Sequence, residues 1–228
     1  MRLLTGLALV SLLGSCGDFP KDSHETLKRA RAGEPIKVGY AVAEPWVREG
    51  PSGIEPDLLN AWARSNGVRL QWMKGSEGQL VEALTRNSAD LLLGGLESKT
   101  PHGKMVGLTQ PYLSVKIVIG AAPGAPIPIQ WKGIDVAYDP RRPHFAAAIE
   151  KAKAIPVPAM PTQWVRYSAV YEPELGARGL RDTGKTLITE KRVMAGAPAE
   201  NALVLSLDKF LHERKAAIAD RLAAEARR

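Results

Sequence analysis

Residues 89–112 read ADLLLGGLESKTPHGKMVGLTQPY, and this stretch predicts the fold. Its apolar run, residues 91–93, is short enough for a buried strand and too short to span a membrane. A glycine pair ending at Gly95 stops the strand and lets a ligand approach the backbone closely. A polar loop containing Glu97 and His102 follows. Since open α/β sheets bind ligands just beyond their strand ends, the residues after Gly95 are the first candidates for function.

Strands and helices alternate on the N-terminal side of this stretch. Residues 36–42 and 68–73 alternate apolar and polar side chains, as strands do. Residues 57–66 and 77–86 carry apolar side chains at helical spacing. This alternation predicts right-handed βαβ units in an α/β fold with a mostly parallel sheet.

The C-terminal side predicts a second unit. A joint rich in proline and glycine at residues 121–128 suggests a lobe boundary. We predict strands at 115–120, 134–138 and 155–159, a helix at 143–154, extended segments at 167–171 and 186–195, and a final helix from about residue 199 to the end. The expected division is therefore lobe 1 at 35–120 and lobe 2 with the C-terminal helix at 121–228.

Composition and motifs exclude several classes of protein. The chain has 228 residues, of which 45% are hydrophobic and 24% charged, as in an ordinary soluble domain. The net charge of +7 is spread along the chain without nucleic-acid-binding motifs, which favours a basic surface over a nucleic-acid partner. The sequence lacks a nucleophile elbow, a P-loop, a dinucleotide fingerprint and a paired-histidine metal motif. We therefore predict no catalytic residue, no cofactor and no metal.

The N-terminus predicts export. Arg2 and the apolar residues 3–13 have the layout of a signal peptide, predicted over 1–15. The sequence Leu-Gly-Ser-Cys ending at Cys16 resembles a bacterial lipobox, so Cys16 is the predicted lipidation site and residues 16–34 a polar tether. Ordinary signal-peptidase cleavage and a cytosolic protein with an apolar start are the alternatives.

The order of these motifs resembles a known family. The carrying segments are IKVGY (36–40), EPWV (44–47), GIEPDLLNAWARSNGVRLQW (53–72) and LVEALTRNSADLLLGGLESKTPHGKMVGLTQPY (80–112). Together they resemble family 3 extracellular solute-binding proteins, the polar-amino-acid binders of ABC importers. The resemblance implies a periplasmic-binding-protein-like fold of two lobes joined by a hinge, with ligand held between them. Beyond residue 132 it thins, and one strand–helix segment usual in lobe 2 is hard to find, which predicts a reduced second lobe.

The resemblance also suggests ligand-binding residues in lobe 1. Trp46 falls where the family has an aromatic that covers the ligand; packing between lobes is the equal alternative. His102 aligns with the family's carboxylate-binding arginine, and Glu97 with a position that normally carries a hydroxyl. The family's arginine is always charged and donates two parallel hydrogen bonds, whereas His102 is mostly neutral near pH 7. This replacement, together with the acid Glu97 in place of a hydroxyl, disfavours recognition of an α-amino-acid carboxylate. Glu97 suits an amine or cation, although pairing with Lys99 is the slightly favoured alternative.

Lobe 2 offers two more candidates. The family's anion-binding turn is replaced by Asp139-Pro140-Arg141-Arg142-Pro143-His144. Arg141 at a helix start is a candidate anion ligand, although arginines in such a place are more often solvated. The family's aspartate for the ligand amino group has no clear counterpart; Glu172, or else Glu174, is the nearest substitute.

These observations predict a monomeric envelope solute-binding lipoprotein that captures a small polar solute in an interlobe cleft and passes it to an ABC permease. It would be lipid-anchored in the periplasm or cell envelope and bind no nucleic acid. One alternative is an accessory or interaction protein that has lost ligand binding. A weaker one is an enzyme, because a few family members act as dehydratases on cyclic acids; turnover lost on changing Glu97 or His102 would indicate it.

Overall fold

The computed structural model describes residues 22–160, 163, 165–225 and 227. The predicted signal peptide (1–15) and Cys16 lie outside the described residues. The strands are β1 (Pro35–Tyr40), β2 (Arg69–Lys74), β3 (Leu91–Glu97), β4 (Gly107–Leu108), β5 (Leu113–Ala121), β6 (Asp135–Tyr138), β7 (Ile155–Pro158), β8 (Tyr167–Tyr171) and β9 (Arg181–Gly196). The helices are α1 (Thr26–Arg31), α2 (Ile54–Asn66), α3 (Glu77–Thr85), α4 (His144–Lys151), α5 (Asn201–His212) and α6 (Lys215–Glu225), and Glu172–Glu174 form a 3-10 turn.

The strands form one sheet in the order β2-β1-β3-β9-β5-β8-β6-β7, with β4 paired to β9. We call β2, β1 and β3 the first strand group, and β8, β6 and β7 the second. Pairing is parallel between β1 and both its neighbours and between β6 and both its neighbours. Every described pairing of β9 and β5 is antiparallel. The fold is thus mixed α/β, since two long strands run back between the parallel groups.

Local sequence signals account for the predicted helices. In α3, the Ser76 hydroxyl accepts from the Gln79 backbone amide while the Gln79 side chain returns to the Ser76 amide, a capping box. Helix α2 ends at Gly67, whose φ of 66° a glycine adopts without strain. The four elements predicted between residues 36 and 86 are present within three residues of their predicted bounds.

One hydrophobic cluster extends across both strand groups. It contains Ile36 and Leu93 from the first group and Val136 from the second, together with Phe145 of α4. A second cluster packs α3 against β3 and β9. The strand β5 ends at Ala121 and belongs to the same sheet as both strand groups. The predicted lobe boundary between residues 120 and 121 therefore stays a prediction.

The residues flanking the sheet differ from two predictions. The predicted tether contains α1, whose Leu27 and Ala30 are buried, because α1 packs against α5 and β1. The predicted single C-terminal helix is divided at residues 213–214. This break lets α5 pack on α1 and α2, while α6 reaches the 3-10 turn, β5 and α2. No helix among the described residues is long and apolar enough to cross a membrane.

Candidate functional site

A cavity of about 430 Å³ opens where the carboxyl end of β3, the strand β9 and the start of α4 meet. We call it the Glu97 cavity. One side of its wall comes from β3 and the loop after β1, and the other from the loop that joins β6 to α4 and from the start of α4. The lining side chains that carry charge or a titratable ring are Glu44, Glu77, Glu97, Lys99, Arg141, His144 and Arg192.

The end of β3 forms the floor of this cavity. The backbone amides of Gly94 and Gly95 donate to Glu55 Oε2 at 3.0 and 3.1 Å. Gly95 has a φ of 62°, and a Cβ there would lie 2.7 Å from the ring of Trp46. A side chain at this position would therefore be strained and would collide with the ring. The glycine lets β3 turn while its backbone stays close to Trp46.

Glu55, at the start of α2, fixes this turn by accepting its two hydrogen bonds. The carboxylate is fully buried, and its Oε1 accepts from the Tyr112 hydroxyl at 2.6 Å. Burial raises the pKa of Glu55, while the Tyr112 hydroxyl and the two glycine amides oppose that rise. The loop that precedes β5 and the end of β3 are thus tied to one helix by a single side chain.

Arg192 of β9 holds the same turn from the other side. Its guanidinium donates to the Gly95 carbonyl, to the Tyr171 hydroxyl at 2.9 Å and to Glu190. It also lies 5.0 Å from the ring centroid of Trp46, within cation–π range. Burial raises the pKa of Glu190 against the lowering effect of Arg192, and Glu97 raises it further.

Sequence reasoning missed Glu190 and Arg192. Both lie in the predicted extended segment 186–195, two residues apart and therefore on one face of a strand. Two opposite charges at strand spacing beside the apolar residues 193–195 are the only signal that could have identified them. Their burial follows from the place of β9 between β3 and β5 in the sheet, which the local sequence does not indicate.

His144 at the start of α4 was also missed. Its Nε2 lies 3.4 Å from both the Tyr171 hydroxyl and Glu190 Oε1. Burial lowers the pKa of His144 to about 4, and the nearby Arg192 and Arg142 lower it as well. The ring is therefore neutral at physiological pH, and it contributes no positive charge to the cavity.

Four of the residues predicted from sequence lie together in this cavity: Trp46, Gly95, Glu97 and Arg141. Trp46 is only 1% exposed and packs against Tyr112 and Tyr171, with ring centroids 6.3 and 5.7 Å away. Its Nε1 donates to the Tyr171 hydroxyl at 3.3 Å. The tryptophan therefore packs between the strand groups while its edge borders the cavity.

Glu97 is half-buried at the last position of β3. No hydrogen bond or ion pair joins its carboxylate to any residue that the structure describes, and the pairing with Lys99 that the sequence slightly favoured is not formed. The other acids at the cavity have partners: Glu44 pairs with Arg141 at 2.9 Å, and Glu77 accepts from Thr100 at 3.0 Å. Glu97 is thus the carboxylate left to meet a ligand.

Arg141 and Arg142 point to opposite sides of the loop before α4. Arg141 faces the Glu97 cavity and pairs with Asp139 at 2.7 Å as well as with Glu44. Arg142 is 6% exposed and forms two hydrogen bonds, of 2.7 and 2.8 Å, with the buried Glu174. The expectation that such a pair is solvated is wrong for Arg142, because Glu174 compensates its charge inside the protein.

Two predicted residues lie elsewhere. His102 follows Pro101 in the turn after β3 and is not among the described residues that line the cavity. Glu172 lies in the 3-10 turn after β8, where its half-exposed side chain pairs with Lys116 at 2.9 Å. Its alternative, Glu174, is committed to Arg142. The site therefore lacks both the loop histidine and the second-lobe acid that the sequence suggested.

Comparison with known proteins identifies relatives of this arrangement. The family model described as bacterial extracellular solute-binding proteins, family 3, matches residues 36–223. No curated protein matches the chain by sequence.

Three solved structures are similar in fold. An ancestral cationic amino acid solute-binding protein, AncCDT-1, superposes with a TM-score of 0.67 at 18% identity, covering 89% of this chain and 100% of its own. The GluR0 ligand-binding core with L-glutamate gives 0.62 at 18% identity over 84% and 99%. The Bacillus subtilis protein ytmK, described as a probable amino-acid ABC transporter extracellular-binding protein, gives 0.62 at 14% identity over 84% and 96%. AncCDT-1 is also described as a precursor of cyclohexadienyl dehydratase, whereas the matched proteins are mostly binders.

Proposed function

The chain belongs to family 3 of the bacterial extracellular solute-binding proteins, and from that premise we propose that it binds a small polar solute carrying a cationic amino or guanidino group. The Glu97 cavity is the proposed binding site. Its volume of about 430 Å³ lies within the range of roughly 300–1,000 Å³ found for small-molecule sites.

The unpaired carboxylate of Glu97 is the observation that carries this proposal. A ligand cation would form a charge-assisted hydrogen bond with this half-buried carboxylate. The two arginines nearby are already committed, since Arg192 is paired with Glu190 and Arg141 with Glu44 and Asp139. A ligand carboxylate at either arginine would therefore have to displace an existing ion pair, and the remaining cation of the described lining, Lys99, is exposed to solvent.

The ion pair between Glu44 and Arg141 suggests how the cavity closes around a solute. Glu44 lies in the loop after β1, and Arg141 lies in the loop before α4. The pair therefore joins the two strand groups at the mouth of the cavity. A solute that touches both sides would stabilise this closed arrangement, because only contacts that differ between two states can shift their populations.

Calorimetric titration of the purified protein tests the proposal. The panel contains L-arginine, L-lysine and putrescine as cations, with L-glutamate and glucose as comparators. We expect saturable binding of at least one cation. The substitution Glu97→Gln should weaken that binding by about 10- to 100-fold, because a hydrogen bond to a charged group contributes about 1.5–3 kcal/mol.

The matched control is Glu82→Gln, on the exposed face of α3, where the glutamate pairs only with Arg86. This variant should bind like the unaltered protein. Binding of L-glutamate in preference to every cation, or an affinity that Glu97→Gln leaves unchanged, would contradict the proposal. If no member of the panel binds, the accessory role without a ligand becomes the better account.

We further propose that the protein is a lipid-anchored component of an ABC importer in the periplasm or cell envelope. The support is the lipobox-like sequence ending at Cys16 and the extracellular character of the family. Labelling cells with an alkyne-bearing fatty acid should mark the unaltered protein and not Cys16→Ala; equal labelling of both, or of neither, would exclude the anchor.

A further inference from the structure

We propose a second ligand site, for a small organic carboxylate, in a separate cavity of about 270 Å³ on the second strand group. We call it the Arg178 cavity. It is bordered by the ends of β6 and β7, by β8 and by the residues that precede β9. None of its described lining residues lines the Glu97 cavity, because the loop containing Arg141 and Arg142 separates the two.

The first argument is the distribution of charge around the Arg178 cavity. Asp139 is compensated by Arg141, which binds it through two hydrogen bonds of 3.0 and 2.7 Å. Glu174, which lies behind the wall, is compensated by Arg142 in the same bidentate manner. Each carboxylate thus has its own arginine before Arg178 is considered.

Arg178 is the arginine without a close partner. Its Nε lies 3.7 Å from Glu174 Oε2, which already accepts from Arg142 and from the backbone amide of Tyr171. The side chain is 16% exposed, and its guanidinium makes no hydrogen bond to any residue that the structure describes. Burying most of a guanidinium without hydrogen bonds to its N–H groups costs free energy. The two oxygens of a carboxylate match the two parallel N–H donors of the guanidinium.

The pKa of Arg178 agrees with this geometry. Burial is the largest cause and lowers it; Glu174 and Asp139 oppose that effect, whereas Arg142 and Arg141 lower the pKa further. The main cost of the charge is therefore its desolvation. A bound carboxylate would offset this cost by a charge-assisted hydrogen bond.

A neutral hydroxyl residue, Ser168, belongs to the same cavity wall. It pairs with Ala137 in the register between β8 and β6, so these two lining side chains lie on one face of the sheet. A guanidinium and a hydroxyl on the wall of one cavity can both donate to the oxygens of a carboxylate.

The remaining wall limits the rest of the ligand. It is mainly apolar, with Ala137, Ala169, Val170 and Leu180 among its members. The volume of about 270 Å³ lies just below the range of roughly 300–1,000 Å³ typical of sites for larger ligands. A carboxylate with a short apolar chain fits both features better than an inorganic anion, which would leave the apolar wall without a partner.

Titration followed by two-dimensional ¹H–¹⁵N NMR tests the site in the purified protein. The probes are acetate, propionate and butyrate, with inorganic phosphate as comparator. We expect butyrate or propionate to shift the amides of Ser168 and Gly179 saturably and to bind more tightly than phosphate. The substitution Arg178→Gln should weaken this binding at least ~10-fold, as expected for the loss of a charged donor.

Two matched variants make the result specific. Arg181→Gln removes an exposed arginine three residues away, which donates to the Ala125 carbonyl, and should leave butyrate affinity unchanged. Glu97→Gln should also leave it unchanged, so that failure of this site and failure of the proposed function are distinguished. Should Arg178→Gln prove unfolded by circular dichroism, Ser168→Ala serves instead and should weaken binding several-fold.

The proposal is overturned by any of three results: no saturable shift with any carboxylate, phosphate binding as tightly as butyrate, or shifts confined to amides of the Glu97 cavity such as that of Thr100.

Discussion

The backbone of Gly95 is held from opposite directions by two buried charged residues. Glu55 accepts from its amide, and Arg192 donates to its carbonyl. Removing either charged group would leave its buried partners unsatisfied, which is why such pairs are costly to break. The shape of the cavity floor therefore depends on Glu55 and Arg192, and the position of Glu97, two residues after Gly95, depends on them as well.

His144 predicts a specific pH dependence of stability. Its pKa is about 4 in the folded protein and 6.5 in the unfolded chain. Between these values the unfolded chain binds the proton and the folded protein does not, so the free energy of unfolding decreases as pH falls from 6.5 to 4. We expect His144→Gln to lose part of this decrease, as measured by urea denaturation at a series of pH values.

Glu55 and Glu190 act with the opposite sign. Their raised pKa values mean that the folded protein binds protons more readily, so their contribution to stability declines as pH rises above 4.5. The contributions of Glu55 and Glu190 are present in both the unaltered protein and His144→Gln, so they cancel when the two pH profiles are subtracted. His212→Gln, at an exposed position on α5, is the control. Identical pH profiles for the unaltered protein and His144→Gln would refute the assignment.

At the scale of elements, α1 shows how a segment predicted to be a polar tether can pack against the rest of the fold. The first amides of this helix donate to the local Asp22, from Thr26 at 3.2 Å and from Leu27 at 3.3 Å. The buried Glu200, which precedes α5, also accepts from Thr26 at 3.3 Å and from His24, before the helix, at 2.8 Å. The capping of α1 therefore combines a local acid with one from almost the opposite end of the chain, and no local pattern could indicate the second.

The strand β9 is the element on which both strand groups depend. It pairs with β3 and β4 on one side and with β5 on the other. It also carries Glu190 and Arg192 into the space between the groups. An alternation of apolar and polar residues predicts such a strand, but it does not predict its place in the sheet.

At the scale of the whole molecule, the shared hydrophobic cluster predicts cooperative unfolding. Tyr171 contacts Trp46 from the first half of the chain and Phe145 of α4, with centroid distances of 5.7 and 5.1 Å. These rings join the two strand groups within one hydrophobic cluster. We expect one thermal transition, with coincident midpoints in far- and near-ultraviolet circular dichroism.

The matched variant is Trp46→Ala, which removes the ring at the junction. It should lower the midpoint and separate the two signals, as the strand groups become less coupled. The control is Trp62→Ala, which removes a ring of similar burial from α2. This variant should lower the midpoint while the two signals stay coincident. Two resolved transitions in the unaltered protein would show that the groups fold independently.

Much of this fold was predictable because its signals are local. The apolar run 91–93, the glycines after it and the helical spacing of residues 77–86 each act within a few residues. The same holds for Glu97, whose position at the end of a buried strand follows from the strand itself. Trp46, Gly95 and Arg141 line the same cavity as Glu97, and their role in binding stays a prediction. By contrast, α1, the break between α5 and α6 and the partner of Arg142 depend on contacts between distant segments.

The amino-acid sequence by itself determined the order of strands and helices, the family and the loop that contributes Glu97, since periodicity and turn chemistry are encoded in neighbouring residues. Only the tertiary structure decided which charges are compensated. Whether a carboxylate is free depends on which arginine reaches it, and one such pair, Arg48 and Glu225, is separated by 177 residues. Glu97 and Arg178 stand out because the nearby arginines and the other carboxylates already have partners, and that is a property of the packed molecule alone.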